Sequence, residues 1–254
     1  MFVVQEKNKC FMVILKVVMY SFVIAFICNA QTELKTDSVI DIDGNIYRTI
    51  KIGNQSWIVD NFKSTRYRDG TPIPMVSENK KWSSLKTPAY CWYNNDSNNK
   101  EKYGALYNWY AINTGQLAPS GWHVPIKSDW DTLVNFLIRN GYNWDNTIKQ
   151  NKVGKALAAT TEWWESQNKG SVGNDLTKNN STGFSAFPSG FRVTFGCFLY
   201  NENSGGYWWT DTRDNDLLIH SCALTYDNSY FDRHFTKKKP EIMSYGFSVR
   251  ILKD

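Results

Sequence analysis

The chain has 254 residues, a formal net charge of +5, and an unusual load of rings: 11 Trp, 14 Tyr and 14 Phe. Its basic excess is mild and no Lys/Arg stripe runs through it, which argues against a nucleic-acid partner. Five cysteines without a CxxC or a Cys/His cluster argue against structural zinc.

The first thirty residues read differently from the rest. Lys7, Lys9 and Lys16 precede an apolar run from Val17 to Ile27, then Cys28-Asn29-Ala30 before Gln31. A positive flank, an apolar core of about eleven residues and a small residue before the cut describe a secretory signal peptide over 1–30. The run is short for a membrane span, which needs about 20 apolar residues. An uncleaved anchor, or lipidation at Cys28, is the alternative. The expected product is a single domain over 31–254, secreted or at the cell surface, touching membrane only through its signal or anchor. It is long enough to bury roughly 70% of its unfolded surface without staples. All 11 tryptophans and Cys91, Cys197 and Cys222 stay with it. An odd cysteine number allows one disulfide and leaves a free thiol.

Segment 38–61, SVIDIDGNIYRTIKIGNQSWIVDN, alternates apolar and polar residues, with turn signals at Asp43-Gly44 and Gly53-Asn54. It predicts a three-stranded antiparallel meander. In DIDGN the glycine follows the first Asp too soon for a calcium loop and no Glu closes it, so the reading is a turn. In KYGALYNWYAI, Tyr103, Leu106, Tyr107 and Tyr110 fall on one stripe of a first helix. Trp130, Leu133, Val134, Leu137 and Ile138 give a second, with Ser128 and Asp131 as its capping pair and Gly141 as its end. VGKALAAT (153–160) reads as a short third helix. A long polar loop (168–183) and short β-like runs follow: FSAFPSGFR, YWWTDT, HSCALTYDN and GFSVRILKD. Helices early and irregular strands late make the class α+β, with one core.

The order of these motifs resembles one family, the Fibrobacter succinogenes major paralogous domain. The carrying segments are DIDGNIYRTIKIGNQSWIVDNFK (41–63), YRDGTPIP (67–74), AYCWYNND (89–96), YGALYNWYAI (103–112) and GWHVPIKSDW (121–130). TGFSAFPSGFR (182–192), GYWWTDT (206–212) and GFSVRILKD (246–254) complete the series. The resemblance implies a C-type lectin-like mixed fold, akin also to the formylglycine-generating-enzyme group. It brings no molecular activity with it. Formylglycine chemistry needs a close cysteine pair near the C-terminus, and no cysteine follows Cys222. The family carries cysteines where Ala118 and Ile251 stand here. Their joint loss fits a staple replaced by packing, so Leu117–Ala118 and Ile251–Leu252 are expected to be well packed. Cys197 and Cys222, on neighbouring runs, are the candidate disulfide pair.

For His123, a general base needs a substrate proton and an orienting partner within hydrogen-bond reach. A helix start explains the nearby Asp129 and Asp131 equally well. Trp122, His123, Pro125 and Trp130 therefore read as a structural hinge, and Gly246 and Arg250 as parts of the closing strand. Glu162 and Glu165 flank Trp163–Trp164 and raise a glycan hydrolase as an alternative. The leading expectation is a non-catalytic module binding an extracellular glycan or a surface protein. Trp208 and Trp209 would stack on sugar, and Asp211, Arg213, Asp214, Asn215 and Asp216 would bond its hydroxyls, directly or through calcium. The 174–183 loop offers more oxygen donors. No other cofactor is expected. A structural or assembly module with all its rings in the core is the competing reading.

Overall fold

A computed structural model describes residues 37–199, 203–212 and 218–254. The expected signal peptide lies outside the described residues. Residues 37–254 form one compact unit of mixed α/β structure, with antiparallel sheets and few, mostly short helices.

The meander forms where the alternation put it, as β1 (Ser38–Ile40), β2 (Ile46–Ile52) and β3 (Gln55–Ile58). The Asp41 carboxylate closes the first turn, accepting from the amides of Asp43 at 3.0 Å and Asn45 at 2.9 Å, Asn45 Nδ2 at 2.7 Å and Tyr47 Oη at 2.6 Å. Its oxygens are thus filled by protein donors, as a turn requires.

The chain then builds helix α1 (Asn79–Ser83) and β4 (Tyr90–Trp92). The helix expected over 103–112 is not formed. A single turn, α2 (Lys100–Tyr103), ends at Gly104, and β5 (Ala105–Tyr107) pairs with β4 before another single turn, α3 (Trp109–Ile112). Gly104 has φ +72°, and a Cβ there would meet Asn61 Cβ at 2.7 Å and the carbonyls of Asn61 and Phe62 at 2.9 Å. Close approach to the Asn61–Phe62 backbone, available only to glycine, overrides the helical stripe. Tyr103, Leu106 and Tyr107 are buried on every side, so their spacing carries no amphipathic information.

Short strand β6 (Trp122–His123) leads into the longest helix among the described residues, α4 (Lys127–Arg139). The expected capping by Ser128 and Asp131 is replaced. The helix starts at Ile126, whose amide donates to the Asp129 carboxylate at 2.8 Å. That frees Asp131 for other partners. Trp130, Leu133, Val134 and Leu137 bury one face of α4, with Trp130 4.8 Å from Trp57 of β3. The third helix, α5 (Gly154–Leu157), is one turn.

The second half supplies the pair β7 (Phe191–Arg192) and β8 (Phe198–Leu199), then the three-stranded sheet of β9 (Gly205–Thr210), β10 (Leu218–Thr225) and β11 (Asp232–Lys237). A last turn, α6 (Pro240–Met243), precedes β12 (Leu252–Lys253). β12 inserts between β3 and β6, giving the order β1-β2-β3-β12-β6. Beginning and end of the domain therefore share one sheet.

Arg250 locks this closure. It is fully buried, with Nε donating to Asn61 Oδ1 at 2.9 Å and Nη1 to the carbonyl of Ile58 at 2.9 Å and those of Val59 and Phe184. Nη2 donates to the Ser185 carbonyl at 3.0 Å. Burial pulls the guanidinium down to about 9, yet each carbonyl dipole favours its charged form. Gly246 exchanges backbone bonds with Arg192 and packs on the Trp82 ring, 3.0 Å from where a Cβ would sit. Leu117, Ala118, Ile251 and Leu252 are all buried, and Ala118 and Ile251 share one apolar cluster. Buried residues fall into three such clusters within the unit rather than the single core expected.

Candidate functional site

The tryptophans expected to stack on a ligand are core. Trp208 and Trp209 are both 0% exposed. Neighbours on a strand point to opposite faces, and both faces of β9 are covered. Trp208 packs in the α4 cluster and donates Nε1–H to Asn61 Oδ1 at 2.9 Å. Trp209 packs beneath Phe247 and donates to the Tyr107 carbonyl at 2.6 Å. Asp211 is buried as well, its amide on the Pro125 carbonyl at 2.8 Å. Arg213, Asp214, Asn215 and Asp216 lie outside the described residues.

The Cys197–Cys222 pairing is also overturned. Both thiols are free: Cys197 is exposed in the β7–β8 turn, and Cys222 is buried on β10 under α4. Nearness in sequence placed them together, but their strands belong to different sheets. Burial pushes the Cys222 thiol well up and that of Cys91 to about 12, so neither is an activated nucleophile.

His123 bridges two carboxylates, Nδ1 2.6 Å from Asp254 Oδ1 and Nε2 3.1 Å from Asp129 Oδ2. It ties the end of the chain to the first turn of α4. The Asp129 bond, aided by Asp254, raises its pKa against partial desolvation. Trp122 beside it is half-buried against the first cluster. Glu162 is paired with Lys102 at 2.7 Å, and neither it nor Glu165 lines the clefts at the two ends of α4.

A different stretch combines rings and amides at the surface. Immediately after α4, GYNWDN (141–146) enters a loop organised by one buried side chain. Asn143 Nδ2 donates to the carbonyls of Thr147 at 2.7 Å, Lys149 at 3.1 Å and Gln150 at 3.2 Å, and Oδ1 accepts from the Lys152 amide at 3.0 Å. Asp145 adds a bond to Thr147 Oγ1 at 2.7 Å and an ion pair to Lys152 at 2.5 Å, which hold its carboxyl down at about 2. A loop fixed this way presents its remaining side chains at defined positions.

Those side chains are Tyr142 and Trp144, both half-buried. Trp144 lies directly on Gly170, where a Cβ would come within 2.1 Å of the indole and φ is +79°. Lys169 Nζ stands 5.9 Å from the same ring. The facing wall is pinned from below by Lys155, a buried ammonium that donates to the carbonyls of Ser171 at 3.3 Å, Asp175 at 3.1 Å, and Asn174. Desolvation lowers its pKa. Between the walls is a cavity of about 560 Å³, also lined by Asn146, Lys178 and Ser181. Two rings with amide, hydroxyl and ammonium groups around them suit a polyhydroxylated ligand. Alternation of aromatic and amide residues just past a helix end is the signal of this cleft in the sequence.

The 174–183 loop spends its oxygen donors internally. Asp175 pairs with Lys178 and Thr177, Asn180 closes on Ser185, and the Asn174 and Asp175 carbonyls hold Lys155. Among the described residues no three His, Cys, Asp or Glu side chains converge as metal ligands. Nor is any described helix long and apolar enough to cross a membrane.

The molecule is a mixed α/β domain with clefts at both ends of α4. The sequence profile of the Fibrobacter succinogenes major domain matches residues 50–253, and the chain belongs to that bacterial family. No curated protein and no solved structure matches it.

Proposed function

We propose that the protein is an exported, non-catalytic binding module of C-type lectin-like fold whose Tyr142–Trp144 cleft takes a glycan. The observation that carries this is the indole of Trp144, backed by Gly170 and presented by a loop locked around Asn143. Preorganisation of that kind spares the ordering cost that weakens most loop-borne sites. The presence of the first and last strands in one sheet supports the lectin-like reading of the fold, and the signal-like N-terminus supports secretion or surface display. The Ser171, Asn174 and Asp175 carbonyls accept from the Lys155 ammonium, which supports a site without calcium.

The test is a glycan and polysaccharide array probed with purified protein, with and without calcium. Binding is expected on neutral glycans, and Trp144→Ala is expected to weaken it about tenfold or more while the protein stays folded. Binding that survives Trp144→Ala and Tyr142→Ala together would refute the cleft.

One observation favours assembly as a second reading. Ile40, Ile42 and Ile46 are 58%, 53% and 63% exposed at the edge of the five-stranded sheet. Unprotected apolar edges pair with other chains. Concentration-dependent oligomers that Ile46→Lys abolishes, without any bound glycan, would favour that reading.

A further inference from the structure

The N-terminal half of α4 borders a second cleft with different chemistry. Lys127, Trp130, Asp131 and Asn135 face Thr210 and Arg233 of the three-stranded sheet across a cavity of about 370 Å³. The β10–β11 register sets Arg233 opposite Cys222, on the face that packs under α4.

Donors outnumber acceptors here. Among the described residues Asp131 is the one carboxylate in the lining, and both its oxygens are engaged, Oδ2 by Lys127 Nζ at 2.5 Å and Oδ1 by Arg233 Nη1. Those bonds use one N–H from each cation and leave two on the ammonium and four on the guanidinium. Asn135 adds an exposed amide. Trp130 closes the floor with its buried ring. Among the described lining residues, two permanent cations against one carboxylate leave a net positive charge.

We propose that this cleft binds an anionic saccharide, a sugar bearing a carboxylate or sulfate. The acidic group lies between Lys127 and Arg233, where charge-assisted bonds are strongest, and ring oxygens accept from Asn135. An acidic peptide is the competing occupant, because β11, which carries Arg233, is an edge strand of its sheet, and poly-glutamate separates the two. The site shares no residue with the Tyr142–Trp144 cleft and does not depend on it.

The experiment titrates the full-length protein with oligogalacturonate, a sulfated oligosaccharide, a neutral cello-oligosaccharide and poly-glutamate. Oligogalacturonate or the sulfated sugar is expected to bind, and the better of the two identifies the acidic group. Arg233→Gln is expected to weaken that binding about tenfold. Asn135→Asp adds a negative charge at the rim without touching the Asp131 ion pairs and is expected to weaken it as much. Trp144→Ala is expected to leave it unchanged, so failure at one cleft is distinguishable from failure at the other. The proposal is overturned if neither acidic sugar binds, if poly-glutamate binds as well as they do, or if Asn135→Asp has no effect.

Discussion

Two aromatic pairs carry similar composition and opposite fates. Trp208 and Trp209 sit among Thr, Asp and Gly on β9, and Tyr142 and Trp144 sit among Asn, Asp and Gly after α4. The first pair is buried because β9 lies between two apolar clusters, one filled by α4 and the other by the closing segment around Phe247. The second stays half-buried, with Trp144 seated on Gly170 and Tyr142 on the margin of the α4 cluster. Ring content by itself does not mark a binding face. What lies on the far side of each ring decides.

The comparison breaks most severely at Arg250, which closes the sheet that covers the first pair. Arg250→Ala strips the donor from five acceptors and is expected to cost about 3–5 kcal/mol in chemical denaturation. Trp208→Ala and Trp209→Ala follow, each at about 3–5 kcal/mol from cavity formation and a lost indole bond. Trp144→Ala is expected to cost under about 1.5 kcal/mol while removing glycan binding. A stability loss as large as that at Trp208 would show that Trp144 is also core.

Gly170→Ala sharpens the same contrast. The added methyl displaces the indole and occupies a left-handed backbone, at about 1–3 kcal/mol, and glycan binding is expected to fall with little change elsewhere in near-ultraviolet circular dichroism. A thiol-specific reagent offers a chemical version. It should label Cys197 at once and Cys91 and Cys222 only on unfolding.

The smallest effect belongs to His123. Its folded pKa is raised above the ordinary value of 6.5. Its contribution to stability is therefore complete below the unfolded pKa and is lost as pH rises through the folded one. The melting temperature is expected to drop by about 2 °C across that window, and His123→Gln should flatten the profile.

Much of the frame is legible in the residues themselves. The meander shows through alternation and two turn signals, and α4 through its apolar stripe. Arg250 is expected in a closing strand, but β12 begins only at Leu252, and no local pattern shows that its partners are carbonyls of segments 58–59 and 184–185. The stripe over 103–112 misleads because a segment buried on every side has no polar face to set a period. Strand β11 escapes a local reading because DRHFTK has no apolar alternation, and its pairing with β10 defines it.

Sequence alone determined the family, the mixed class, the meander and the long helix, because each rests on local periodicity or on the order of motifs. Tertiary structure decided which rings are core, that Cys197 and Cys222 stay apart, and that clefts open at the two ends of α4. Burial and proximity depend on which distant segment covers a residue. Here that cover comes from distant segments, as where Arg250 meets Ile58, 192 residues away.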